Sequence, residues 1–154
     1  MKHNLTVYRG KTLKLLNPLI CKLEIDAIGS LGMALQRMEN YVLTKGKKTL
    51  GPIIQHSCMT TDINGTVNAH LELIRQLDGY IVHTDAPYKM YSEIKVSNCL
   101  YIRFEGKESD LKFAYNKIGV VAYEEGIKVS DEHYTVLLKS EDDNIIADIF
   151  APMI

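Results

Sequence analysis

The sequence predicts an α+β domain built from two strand–helix–strand–strand repeats. Helices would cover one face of an antiparallel sheet, and a ligand groove would lie between the repeats. Three observations predict it. Apolar residues recur every three or four positions in two stretches, Ile28 to Val42 and Leu111 to Val121. Runs of period-two alternation flank each stretch. The spacing from each helix end to the second strand of the following hairpin is nearly equal, Gly51 to Thr66 and Asp131 to Ile145. An amphipathic stripe must be buried against a partner layer, and the sheet face away from the helices is then free to line a cleft. The 154 residues fit one domain, 1–154, with repeat 1 over about 11–79, a connection over about 80–94 and repeat 2 over about 95–154.

In chain order, Met1 to Gly10 is polar and weakly patterned, a loose end or an edge strand. From Thr12 to Ile25, Leu13, Leu15, Leu19, Cys21, Leu23 and Ile25 fall on one period-two face. Pro18 inside that run lacks an N–H and points to an edge strand or a bulge. Asp26 is placed to cap the first helix, which Lys45-Gly46 ends with a cation and a glycine. Gly29 and Gly32 weaken its first turns. Pro52 to Thr61 reads as a strand, Asp62-Ile63-Asn64-Gly65 as a turn, and Thr66 to Leu77 as the returning strand. Val67, Ala69, Leu71, Leu73 and Leu77 share one of its faces.

The second repeat starts with the strand Leu100 to Phe104, on which Cys99 and Tyr101 take the face opposite Leu100, Ile102 and Phe104. A helix from about Ser109 to Glu125 follows and stops at Gly126. Glu124 and Glu125 sit at the end its dipole disfavours for acids, so both are expected in solvent. Two extended segments, Asp131 to Leu138 and Asn144 to Pro152, are joined by the polar turn Lys139 to Asp143. Ile145 to Phe150 is apolar on both faces, as in a central strand.

Composition narrows the function classes. A net charge of −1 gives no broad basic field for nucleic acid or an anionic membrane surface. No apolar run approaches the roughly 20 residues that span a bilayer, and the opening residues lack the apolar core of a signal peptide. Three cysteines without C-x-x-C spacing and five histidines without H-x-x-x-H argue against disulfides and a metal site. A cytoplasmic protein without cofactor or metal is expected. The motifs of serine hydrolases, P-loops and dinucleotide folds are missing. His56 and Cys58 lie on one strand face, but nothing there points to a lowered thiol pKa.

The tyrosines are more informative. There are nine, with no tryptophan, and Tyr88, Tyr91, Tyr101, Tyr115, Tyr123 and Tyr134 concentrate in the second half. Glu132 and Tyr134 share a strand face with Val136 and Leu138. A carboxylate in that line stands either in water at the strand mouth or partly desolvated, where it seeks a cation or a donor. Ringed by tyrosines it would select lipophilic cations. It would equally serve as a general base toward a bound electrophile.

The segment Phe104-Glu105-Gly106, the helix Leu111 to Ile118, the strand Glu132-His133-Tyr134 and the ending Ala147-Asp148-Ile149-Phe150-Ala151-Pro152 together resemble the GyrI-like small-molecule-binding domain. That domain is the effector-binding module of bacterial MerR- and AraC-type transcription regulators. The resemblance is clearest over about residues 95–154. It implies two such units about a pseudo-twofold axis with a ligand groove between them. It also implies an acidic pocket residue at Glu132 with Tyr134 as its aromatic companion. Tyr101, Tyr115 and His56 complete the candidate ligand-binding set. The sequence departs from the family in having no tryptophan, and in carrying Gly106-Lys107-Glu108 where a G-x-Y step precedes the helix. Only about 25 residues precede the first helix, too few for a DNA-binding module, so direct nucleic-acid binding is not expected. The expectation is a stand-alone effector-binding protein that senses or sequesters a hydrophobic or cationic small molecule, such as a drug or toxin. Two alternatives use the same scaffold: a hydrolase of reactive electrophiles with Glu132 as general base, and a gyrase-inhibitor-like protein-interaction module.

Overall fold

Alternation and amphipathic stripes become strands and helices where expected. A computed structural model describes residues 5–23 and 31–154. Its elements run β1 (Val7–Leu16), β2 (Pro18–Leu23), α1 (Leu31–Thr44), β3 (Thr49–Thr61), β4 (Val67–Leu77), β5 (Tyr88–Met90), β6 (Glu93–Lys107), α2 (Leu111–Glu125), β7 (Glu132–Glu141) and β8 (Asn144–Pro152). A single 3₁₀ turn, Glu108–Asp110, leads into α2. The chain is α+β, and every strand pair with an assigned register is antiparallel. It divides into two compact units, one of Lys14–Ile94 and one of Met1–Leu13 with Lys95–Ile154. They are called the first-repeat and second-repeat units below.

In the first-repeat unit the strands are ordered β3-β4-β2-β5. Leu19, Cys21 and Leu23 of β2 and Leu73 and Leu77 of β4 point to one face, where Ala34, Met38 and Val42 of α1 meet them. Burying a side chain the size of Leu or Met stabilises by about 1.5–3 kcal/mol, so this stripe dominates the local energetics. The anticipated cap Asp26, with Ile25, Ile28 and Gly29, lies outside the described residues. The helix ends as expected, with Gly46 at φ +72°.

Four expectations need correction here. The described part of the run Thr12 to Ile25 is two strands, broken by Asn17 at φ +49°, where a short polar side chain tolerates the left-handed region. Pro18 opens β2, which is no edge strand, because β4 and β5 pair on its two sides. The connection after Leu77 supplies β5 and buries Ile81, while Tyr88 stacks on Tyr41 at 4.2 Å between ring centroids. Finally, the apolar face of β4 is buried only from Leu73 on, and Val67 and Ala69 are exposed. The β3–β4 turn is held by Asp62 Oδ1, which accepts from the N–H groups of Asn64 and Thr66.

The second-repeat unit orders its strands β1-β6-β8-β7, so Val7 to Gly10 lies in an edge strand, one of the two readings of that stretch. Leu100, Ile102 and Phe104 of β6, with Ala147 and Ile149 of β8, face Ala114, Ile118 and Ala122 of α2. Gly126 takes the left-handed C-cap at φ +66°. Glu124 and Glu125 are exposed, as expected, and Glu125 also pairs with Arg9. The β7–β8 turn is tighter than expected: β7 continues to Glu141, and Asp142 turns the chain at φ +55°. β8 lies between β6 and β7, as its two apolar faces require. No helix among the described residues is long and apolar enough to cross a membrane.

Candidate functional site

Antiparallel pairing puts directly opposed residues on the same face of a sheet, so the register locates the site. In the second-repeat unit Tyr101 of β6 opposes Phe150 of β8, and Phe150 opposes Tyr134 of β7. The next row on this face is Arg103, Asp148 and Val136. Both rows lie on the face away from α2, because the alternate residues Leu100, Ile102 and Ile149 pack against that helix. The result is an aromatic row across three strands, which Tyr8 of β1 extends. Ring centroids are 6.1 Å apart for Tyr8 and Tyr101, and 5.1 Å for Tyr101 and Phe150.

One carboxylate organises the second row. Asp148 is nearly buried, and Arg103 grips it side-on with one edge of the guanidinium. Nε donates to Oδ1 at 2.7 Å and Nη2 to Oδ2 at 2.9 Å. The Tyr101 hydroxyl also donates to Oδ1, at 2.7 Å. This two-point pairing suits a buried acid, which would otherwise lose its hydration uncompensated. Burial, reinforced by the Asp148 bond, pushes the Tyr101 phenol up to about 12. Tyr101 therefore presents a neutral ring of fixed orientation.

Glu132 stands at the start of β7, half-buried, two residues before Tyr134. Its charge is felt at Cys99: burial first, then the Glu132 carboxylate, raise that thiol to about 11. A thiol held there is not a nucleophile near neutral pH.

The five residues singled out from sequence fall in three places. Glu132, Tyr134 and Tyr101 are on β7 and β6 of one unit, with Tyr134 and Tyr101 joined through Phe150 in one row. Tyr115 is on the helix side, where its hydroxyl meets Thr135 Oγ1 at 2.6 Å and its ring meets His133 edge-on at 5.3 Å. Burial lowers the His133 pKa, which the adjacent Glu132 and Asp131 charges only partly oppose. His56 belongs to the first-repeat unit, where its Nδ1 is 2.8 Å from Glu72 Oε1. The other tyrosines disperse: Tyr88 stacks on Tyr41, and Tyr123 is exposed on α2.

Sequence reasoning missed Asp148, Arg103 and Phe150. A signal was present, since a lone acid inside Ile145 to Ala151 must find a cation on a neighbouring strand. Among the described residues, no cluster of three or more histidine, cysteine or acidic side chains is arranged to hold a metal ion.

The sequence matches no protein-family model and no curated protein. Solved structures do match in fold. The C-terminal domain of EcmrR superposes with a TM-score of 0.69 at 11% identity, over 100% of this chain and 99% of that one. A hydrolase encoded by lin2189 from Listeria innocua gives 0.63 at 12% identity, over 99% of this chain and 93% of that one. SAV2435, solved bound to tetraphenylphosphonium, gives 0.53 at 12% identity, over 100% of this chain and 94% of that one. With two strand–helix–strand–strand units and these structural relatives, the chain has the GyrI-like fold.

Proposed function

We propose that this protein binds a hydrophobic, cationic small molecule, with the aromatic row Tyr101–Phe150–Tyr134 as the contact surface and Glu132 as its counter-charge. The observation that carries the reading is that row on one sheet face, with a half-buried carboxylate two residues from its end. Each ring placed against a cation contributes about 0.5–2 kcal/mol. Asp148, held by Arg103, fixes Tyr101, and the attraction is assigned to the Glu132 carboxylate. The tetraphenylphosphonium held by SAV2435, a protein of the same fold, supports this ligand class. The role would be to sense or sequester such a compound.

Charge and shape are separated by titrating the protein with tetraphenylphosphonium and with tetraphenylborate, which share a shape and differ in sign. Binding of the cation with at least about tenfold preference (about 1.4 kcal/mol) is expected. Equal binding of both ions would contradict a carboxylate-directed site. A second reading, hydrolysis of an electrophile with Glu132 as general base, draws on the likeness to the Listeria innocua hydrolase. Turnover lost in Glu132→Gln, with the ligand still bound, would favour it.

A further inference from the structure

The first-repeat unit repeats the two-row pattern with different chemistry. Ile54, Ile74 and Ile20 occupy the row that the three aromatics fill in the second-repeat unit. The following row is His56, Glu72 and Lys22, so Glu72 stands on the middle strand as Asp148 does. A further row pairs Cys58 with His70, and Lys89 of β5 opposes Ile20. All are on the face away from α1.

The two central acids are satisfied differently. Asp148 has both oxygens closed by one guanidinium. Glu72 has Oε1 on His56, and the hydrogen bond from His56 is the largest influence holding its pKa down, with the charges of Lys89 and Lys22 adding to it. Among the described residues, both ammonium groups act on this one carboxylate, Lys22 from the directly opposed position on β2, so positive charge is in excess. They do so around a pocket of about 260 Å³ lined by Lys22, His56, Cys58, His70, Glu72 and Lys89. Like charges brought together on one sheet face are unfavourable unless something offsets them. One carboxylate against two ammonium groups offsets half.

We infer that this pocket is a second binding site, for a small oxyanion or the carboxylate or phosphate group of a larger ligand. Lys22 and Lys89 are its charged donors and His70 its neighbouring polar wall. His56 holds Glu72 back by its hydrogen bond, so that the acid orders the lysines without neutralising both. Its lining residues all belong to the first-repeat unit, and its ligand carries the opposite charge to the one proposed for the aromatic row.

The test is an NMR titration of the full chain with inorganic phosphate and, in parallel, acetate, following the imidazole C–H signals of His56 and His70. Lys22→Gln and Lys89→Gln are compared with Lys139→Gln, which alters an exposed lysine of the other unit. Saturable shifts of these signals by either anion are expected, weakened about fivefold or more by each pocket substitution and unchanged in Lys139→Gln. Preference for phosphate over acetate would mark a phosphate site, and the reverse a carboxylate site. Shifts that do not saturate, or that all three variants share, would overturn the inference as a general salt effect. Tetraphenylphosphonium binding should survive both pocket substitutions, so this site and the aromatic one can fail separately.

Discussion

Tyr101 is where the chemistry of single residues is most exposed to measurement. Its phenol is half-buried, donates to Asp148, and titrates at about 12 where a free tyrosine titrates near 10. Between those values the folded chain keeps a proton that the unfolded chain has lost. Stability therefore falls as pH rises through that window, and is fully retained below about pH 10. Asp148→Asn removes the acceptor's charge, so the Tyr101 titration should move down while staying above 10, because burial is its larger cause. Phenolate absorbance and circular dichroism followed together would show this. A Tyr101 that ionises with the exposed tyrosines in the wild type would disprove the bond. Tyr134 and Tyr101 were legible from sequence because period two fixes a face once the strand is known. Asp148 was not, because its partner Arg103 is 45 positions away and only register brings them together.

At the scale of elements, α2 is held by apolar contacts, by the Tyr115–Thr135 hydroxyl pair and by the Glu125–Arg9 ion pair. Tyr115 reaches across to Thr135, a nearly buried residue whose Oγ1 lies 2.6 Å from the phenol oxygen. Tyr115→Phe leaves that threonine without the partner and should cost about 1–2 kcal/mol in a urea titration. Because Tyr115 is on the helix side of β7, tetraphenylphosphonium affinity should be unchanged. A large affinity loss with no stability change would instead put Tyr115 in the binding surface. Helix positions were readable because a 3.6-residue period and a terminal glycine are local signals. Strand partners were not. Pro18 reads as an edge residue from its missing N–H, yet pairing with β4 and β5 makes β2 an interior strand. The three residues of β5 are too few to show any alternation.

For the molecule as a whole, the matched spacing of helices and hairpins is accompanied by matched sheet faces. Each unit orders its strands in the same way and places an acid on the middle strand of its second row. One unit's face is aromatic with a closed ion pair, the other's aliphatic with lysines and histidines around a hydrogen-bonded glutamate. That divergence follows from side chains on a shared frame, which is why fold alone does not settle function. The central claim is that Glu132 directs a lipophilic cation onto the Tyr101–Phe150–Tyr134 row. Isothermal titration calorimetry of tetraphenylphosphonium with wild type and Glu132→Gln tests it most directly. The account predicts saturable binding to wild type, weakened about tenfold, or about 1.4 kcal/mol, by the substitution. Equal affinity in the two proteins, or no binding to either, would contradict it.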